Sequence, residues 1–519
     1  MSDEVLRTGP AEGPPDPVDA EVDPVLASPA VKGGAQIAVS AAAYWLGTGV
    51  TLLGSLVRGK VAAVVLGAEG LGVTSQLTTF SALVIAVAAL GLGTGGVKLI
   101  AAARARQDEA EIRRLVSFLV WAPTGAGVLL ALVAALAAEP LARLLLDDPD
   151  ADGYLVLGAL AVPFALLVTS YQLVMQAFER AFRLGVNSMI TAVLTTLAAV
   201  PLTIIWGLDG AVVAIPLSAI ATLAVFAIRE PWVMRLAMPP RGLVREARND
   251  LLVLAGASMA ASVLALASDV VLRSAAVRVL GLEAIGLYQP VQVLSAVVLT
   301  QMAGVLSLVL LPRLSYQVEQ GDSAQVLHTL TSAARASLVF VVPVLLLLMA
   351  GRDVFIVVLF DSSFLGISGV LAVQLVAEVP RFVAYALGAA LLPAGLVRPW
   401  LMSSVLSTAF RVAVGLAMLP WAGLYAFAVA TAVQWTVVLL FTGWVLTTRM
   451  GWQPQRRLVL LVLLGFLTVA AAAGVSIAVP WVKLLLPVVA FVWTWFLGRR
   501  DAAAILSALT GRLRRARAA

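Results

Sequence analysis

The sequence predicts an all-α polytopic membrane protein of about fourteen transmembrane helices, arranged as two parallel six-helix repeats plus two C-terminal helices. Three observations predict it. Of 519 residues, 61% are hydrophobic and only 12% charged; a soluble globule carries about 25% charged residues, so most of this chain must face lipid or other apolar helices. The apolar residues fall in stretches of about 20 or more, each long enough to cross ~30 Å of hydrocarbon as a helix. Finally, one short pattern occurs twice. Leu66-Gly67-Ala68-Glu69-Gly70-Leu71-Gly72 returns 214 residues later as Leu280-Gly281-Leu282-Glu283-Ala284-Ile285-Gly286, and at that offset Val57, Ala62, Ser81 and Ala89 meet Val271, Ala276, Ser295 and Ala303. Parallel repeats of helix bundles are how many transporters build a site that opens alternately to either side of a membrane.

The elements follow in order. Residues 1–35 are acidic and rich in proline (Pro10, Pro14, Pro15, Pro17, Pro24, Pro29), which predicts a disordered tail and no signal peptide. Spans are expected at 36–65, 73–99, 115–138, 153–178, 186–206 and 210–229, forming an N-terminal lobe over 36–229. A cytoplasmic linker (230–250) leads to spans at 251–279, 286–311, 330–350, 365–392, 400–419 and 423–447, a second lobe over 251–447. Two further spans, 457–479 and 481–498, fill 448–499, and a basic tail closes the chain over 500–519.

Loop charges orient the bundle. Arg104, Arg106, Arg113 and Arg114, then Arg180 and Arg183, then Arg235, Arg241, Arg245 and Arg248 fall on one side, with Arg398, Arg449, Arg456, Arg457 and the tail arginines Arg512, Arg514, Arg515 and Arg517. The other side carries Glu139, Asp147, Asp148, Asp150 and Asp152. By the positive-inside rule both termini are cytoplasmic. The net charge of +6 is therefore a topology signal, and no aromatic-basic interleaving points to nucleic acid. Absence of cysteine removes thiolate chemistry and disulfides, and a single histidine, His328, expected in a solvated loop, leaves no imidazole cluster for a metal. No nucleotide-binding motif is present; Gly91-Leu92-Gly93-Thr94-Gly95-Gly96 lies at a span end and reads as close packing. No cofactor is implied.

Charges within the spans carry the functional signal: Arg58, Lys60, Asp269, Arg273, Arg278, Glu378, Arg381 and Arg411. An ionised side chain near the bilayer centre costs several kcal/mol, so such residues face a bundle interior or a wet cavity. Asp269 and Arg273 are four apart and Glu378 and Arg381 three apart, so each pair shares a helix face and either neutralises itself or faces a cavity. Arg58 and Lys60 point about 200° apart, so one of them faces inward and the other snorkels. Arg58 and Arg411 have no acid in their own helix, which suits a pyrophosphate or other polyanion bound by guanidinium forks. Tyr44, Trp45, Gln172 and Gln176 suit either sugar contact or helix–helix hydrogen bonds.

The run from Val57-Arg58-Gly59-Lys60 to Gly70-Leu71-Gly72, followed by Ala89-Leu90-Gly91-Leu92-Gly93-Thr94-Gly95-Gly96-Val97-Lys98, resembles the first two spans of the O-antigen type (Wzx) oligosaccharide-lipid flippases of the multidrug/oligosaccharidyl-lipid/polysaccharide superfamily. The resemblance covers about 36–115 closely and 36–447 loosely. It implies a two-lobed bundle around a central cavity, moving undecaprenyl-pyrophosphate-linked oligosaccharide across the bacterial cytoplasmic membrane among membrane lipids, with a polysaccharide polymerase and glycosyltransferases as partners. It also implies that cationic cavity residues meet the pyrophosphate; Lys60 and Lys98 are the lysines within the matching runs. Fourteen spans rather than twelve resemble the lipid II flippase branch (MurJ), where the added helices help form a groove for the lipid tail.

The expected function is thus a lipid-linked oligosaccharide flippase and not an enzyme. Its substrate-binding residues are expected to be Arg58, Lys60, Lys98, Arg273, Arg381 and Arg411, with Asp269 and Glu378 placed to carry a coupling ion. The alternatives are a cation-coupled multidrug exporter, which needs unpaired carboxylates, a lipid II flippase, and a membrane glycosyltransferase, which needs sizeable catalytic loops.

Overall fold

The computed structural model describes residues 34–237 and 249–495. The N-terminal tail before Gly34, the linker segment with Arg241, Arg245 and Arg248, and the basic C-terminal tail lie outside the described residues. Among those described, all regular structure is helical. The N-terminal half holds α1 (Gly34–Ala88), α2 (Leu92–Ala105), α3 (Glu109–Leu136), α4 (Ala138–Leu145), α5 (Asp152–Ala177), α6 (Ala181–Arg229) and α7 (Pro231–Leu236). The C-terminal half holds α8 (Asn249–Leu280), α9 (Leu282–Glu319), α10 (Ser323–Ala350), α11 (Arg352–Leu359), α12 (Ser368–Gly388), α13 (Val397–Ala422) and α14 (Tyr425–Met450). After α15 (Arg456–Ala478), a 3-10 turn at Pro480–Leu485 opens a last apolar helix reaching Trp495. Nine of the described helices are long and apolar enough to cross a membrane. Exposed Leu136, Ile205 and Ile228 belong to the apolar exterior such a bundle turns to lipid.

Some boundaries differ from expectation. The first two spans form one bent helix, α1, and spans five and six form another, α6. The second span stops at Ala88 rather than 99, because Leu90 and Gly91 take positive φ and break the helix before α2 begins. His328 lies exposed on the first turns of α10, not in a loop.

The repeat is visible in the backbone. Gly67 (φ 66°, ψ −166°) bends α1, and Gly281 (φ 87°, ψ 166°) separates α8 from α9. Left-handed φ with extended ψ is open to glycine and closed to residues with a Cβ, so both copies of the motif need glycine there. The register then persists. Gln107 and Gly321 both have positive φ, followed by Asp108 and Asp322, whose carboxylates each cap a helix by accepting a backbone N–H at 2.9 Å, from Glu111 and Gln325. The helices so capped, α3 and α10, have 28 residues each, and the next, α4 and α11, have 8 each. Gly207 (φ 57°, ψ −130°) in α6 matches Gly423 (φ 56°, ψ −135°) between α13 and α14. The same turns, caps and helix lengths thus recur in both halves of the chain.

The C-terminal half has one continuous buried core from α8 to the last helix, which also takes in Ala63 and Leu71 of α1. Buried residues of the N-terminal half form separate clusters, one centred on Tyr171, Phe226 and Trp232. The halves meet where the motif copies meet. A Cβ on Gly72 would overlap the carbonyl oxygen of Leu282, and one on Gly286 would overlap that of Ala68. Small residues permit this backbone approach, as between many membrane helices. Beside the seam Gln76 donates to Ser274 Oγ (3.2 Å) and to the carbonyl oxygen of Leu145 (3.1 Å), and Arg273 donates to Ser75 Oγ (3.2 Å).

α15 and the final helix are fastened to the C-terminal half by a polar cluster. Buried Arg352 donates to Ser368 Oγ (2.7 Å), Ser476 Oγ (2.6 Å) and the Ser476 carbonyl (3.0 Å), while Lys483 pairs with Asp353.

Candidate functional site

Five helices of the C-terminal half line one space, four with a polar stripe and α8 with a single carboxylate. On α12 the stripe is Gln374, Glu378, Arg381 and Tyr385, spaced four, three and four residues apart, the spacing of one helix face. On α13 it is Trp400, Ser403, Ser404, Ser407, Thr408 and Arg411; on α14, Thr431, Gln434, Trp435 and Thr442. Asp269 of α8 and Tyr288, Gln292 and Ser295 of α9 complete the ring. These stripes enclose a cavity of about 790 Å³, within the range of roughly 300–1,000 Å³ usual for ligand sites.

Charges at this cavity are held in pairs. Arg411 forms an ion pair with Asp269 and also donates to Ser268 Oγ (3.1 Å). Arg381 pairs with Glu378 (3.2 Å), as the three-residue spacing predicts, and its guanidinium lies 5.0 Å from the Trp435 ring centroid. Glu378, fully buried, also accepts from Ser295 Oγ. Tyr385 and Trp435 form an aromatic wall, with ring centroids 5.1 Å apart and planes at 33°. The Nε groups of Arg273, Arg381 and Arg411 are buried without a hydrogen-bond partner in the protein.

Of the two alternatives open to Asp269 and Arg273, the ion pair within their own helix is not what forms. Asp269 gives its carboxylate to Arg411, 142 residues away, while Arg273 reaches Gln292 and crosses the seam to Ser75. Thus Arg411, unpaired within its own helix, is paired across helices. The structure gathers Asp269, Arg273, Glu378, Arg381 and Arg411 in one region and leaves three expected residues elsewhere. Arg58 lies in the N-terminal half, donating to Thr195 Oγ1 (3.2 Å) and Thr196 Oγ1 (2.8 Å). Lys60 donates to the carbonyl of Val357 in α11 (2.8 Å), a further link between the halves. Lys98 is exposed on α2. Gly96, in the glycine-rich run, packs closely on Leu119.

Sequence reasoning did not find Tyr385, Trp435, Gln292, Gln374 or Gln434 as cavity residues, although their helical spacing carried that signal. Tyr44, Gln172 and Gln176 do share a smaller N-terminal pocket of about 320 Å³ with Thr48 and Ser188. An apolar groove of about 480 Å³ also runs between α12, α14 and α15, lined by Val376, Val433, Phe466 and Ile477.

A bundle of membrane-length helices folded twice over, with a charged cavity inside one half, defines the class: a polytopic protein with the fold of the multidrug and lipid-flippase transporters. The solved structures agree. The lipid II flippase MurJ in an inward closed conformation superposes with a TM-score of 0.68 at 11% identity, covering 89% of this chain and 99% of that one. An inward-facing multidrug resistance MATE family transporter of the MOP superfamily gives 0.61 at 16% identity, covering 81% and 95%. A mutant of the Vibrio cholerae MATE transporter VcmN gives 0.57 at 16%, covering 80% and 100%. No curated protein matches the chain. A family model described as polysaccharide biosynthesis protein matches residues 61–369, and the chain belongs to that family.

Proposed function

We propose that this protein is a flippase that carries an undecaprenyl-pyrophosphate-linked oligosaccharide across the bacterial cytoplasmic membrane for surface polysaccharide synthesis, with both termini cytoplasmic. The observation that carries the reading is a polar cavity with arginines at its wall inside an otherwise apolar bundle. A large polar head cannot cross hydrocarbon unaided, and buried guanidinium and hydroxyl groups replace its hydration shell. Rocking of one half on the other at the Gly72–Gly286 seam would move the head across, as in other repeat-built transporters. The polyprenyl tail can stay in apolar surroundings, and the groove along α15 offers it a path. Family membership and the likeness to a lipid II flippase support the same reading.

Asp269 and Glu378 are the proposed coupling groups. Protonation of Asp269 would release Arg411 and so change the cavity's charge during the cycle. The likeness to multidrug transporters favours a second reading, cation-coupled drug export. The pairing of both cavity carboxylates with arginine weighs against it, because a cationic drug needs an uncompensated acid.

Mass spectrometry of polyprenyl-linked glycans in cells lacking this gene tests the proposal. Complete lipid-linked units accumulating on the cytoplasmic leaflet, with surface glycan lost, are expected. An unchanged pool with altered drug sensitivity would favour the exporter, and truncated glycans would point to an enzyme.

A further inference from the structure

We infer that the two halves divide the cargo: the C-terminal cavity takes the sugar rings of the lipid-linked glycan against Tyr385 and Trp435, and the pyrophosphate is held outside it by Arg58. This rests on the flippase reading above and assigns each part of that substrate to a place.

Charge decides the first half of the inference. Arg381 and Arg411, the guanidiniums lining the cavity, each already have a carboxylate partner, Glu378 and Asp269. A pyrophosphate entering there would meet two acids along with two bases, and the net attraction of two neutral pairs for a multiply charged anion is small. Arg58 differs. Its hydrogen-bond partners are the neutral hydroxyls of Thr195 and Thr196, and among the described residues no carboxylate is in ion-pair contact with it. Its full positive charge, half-buried in an apolar helix, remains available to an anion.

The cavity wall decides the second half. A sugar ring presents apolar C–H faces and a rim of hydroxyls, so it needs aromatic surface and many neutral donors and acceptors rather than net charge. Tyr385 and Trp435 supply the surface. Gln434 supplies a carboxamide able to donate and accept at once, the amide of Gln374, whose Oε1 accepts from Tyr288 (3.3 Å), adds a donor, and Ser404 is one of the hydroxyls. The smaller N-terminal pocket contains one aromatic residue, Tyr44, and no charged side chain, so it offers no comparable platform.

The test uses the full-length chain in lipid nanodiscs, titrated calorimetrically with two probes: oligosaccharides released by mild acid from the cell's own polyprenyl-linked pool, and inorganic pyrophosphate. Trp435→Ala and Gln434→Leu should each weaken oligosaccharide binding about tenfold, the scale of one lost ring contact or buried hydrogen bond, and change pyrophosphate affinity by less than about twofold. Trp435→Phe should keep most of the oligosaccharide affinity, which separates a lost platform from a damaged fold. Arg58→Gln should give the reverse pattern. If the unsubstituted protein binds both probes but these variants leave oligosaccharide affinity unchanged, or lower both affinities together, the division of cargo is wrong and the flippase reading stands. If it binds neither probe, both fall.

Discussion

Asp269 lies one helical turn from Arg273 yet pairs with Arg411 on another helix. Removing Arg411 therefore strands a half-buried carboxylate, so Arg411→Gln should destabilise the purified protein by about 1–3 kcal/mol. The double variant with Asp269→Asn should recover most of that loss in thermal unfolding; strictly additive losses would mean that the pair contributes nothing. Arg58→Ala strands no acid, since its partners are Thr195 and Thr196. Stability should change by less than about 1 kcal/mol, whereas glycan export should be lost, and normal export in this variant would remove Arg58 from the site. Asp353, outside the spans, gives a pH test. Burial pushes its carboxyl up, but hydrogen bonds from Lys483 and Ser368 and the charges of Lys483 and Arg352 more than offset this and hold it below the usual carboxylate range. A depressed value in the folded state means stability that is present above the ordinary carboxylate pKa of about 4 and lost as pH falls through the lower folded value. Unfolding temperature should therefore drop below about pH 4 in the natural protein, and Asp353→Asn should flatten that dependence. An unaltered acid limb would assign it to other carboxylates.

At the scale of elements, the paired glycines at the seam govern how closely α1 and α9 approach. Gly286→Ala places a methyl group on the carbonyl of Ala68, and the backbones must separate. Because the natural chain has no cysteine, two introduced thiols give a unique spin-label pair. Distances across the seam should lengthen or broaden in Gly286→Ala, and transport should fall; an unchanged distribution would show that the seam yields without consequence. The motif's repetition was legible in the sequence, and so were the long apolar segments, because membrane thickness imposes a length that composition reveals. The continuity of α1 and α6 was not. A glycine between two apolar runs signals a break in hydropathy, but only backbone angles distinguish a bend within one helix from a loop between two. The cavity was half legible for a related reason. Glu378 and Arg381 pair within one helix and their spacing foretold it, whereas Asp269–Arg411 joins α8 to α13 and leaves no local trace. Serines and glutamines are ordinary helix-packing residues in membranes, so the α13 stripe had no signature until α12 and α14 stood opposite it.

For the whole molecule, the two halves share turns and caps at matching positions and differ in chemistry. Ser81 and Ser295 occupy equivalent places in the repeat, yet Ser81 donates to the backbone of Gly158 (3.2 Å) and Ser295 to the carboxylate of Glu378. The ion pairs at the large cavity belong to the second copy, and the last two helices are bound to that copy through Arg352 and Asp353. The walls of the large cavity likewise come from α8, α9, α12, α13 and α14 and from the turn that follows α12, all in the C-terminal half. A pocket walled by a single half need not be dismantled when the halves tilt against each other. On the flippase reading, the sugar end of the cargo would ride undisturbed in one half, and only the doorway would change sides.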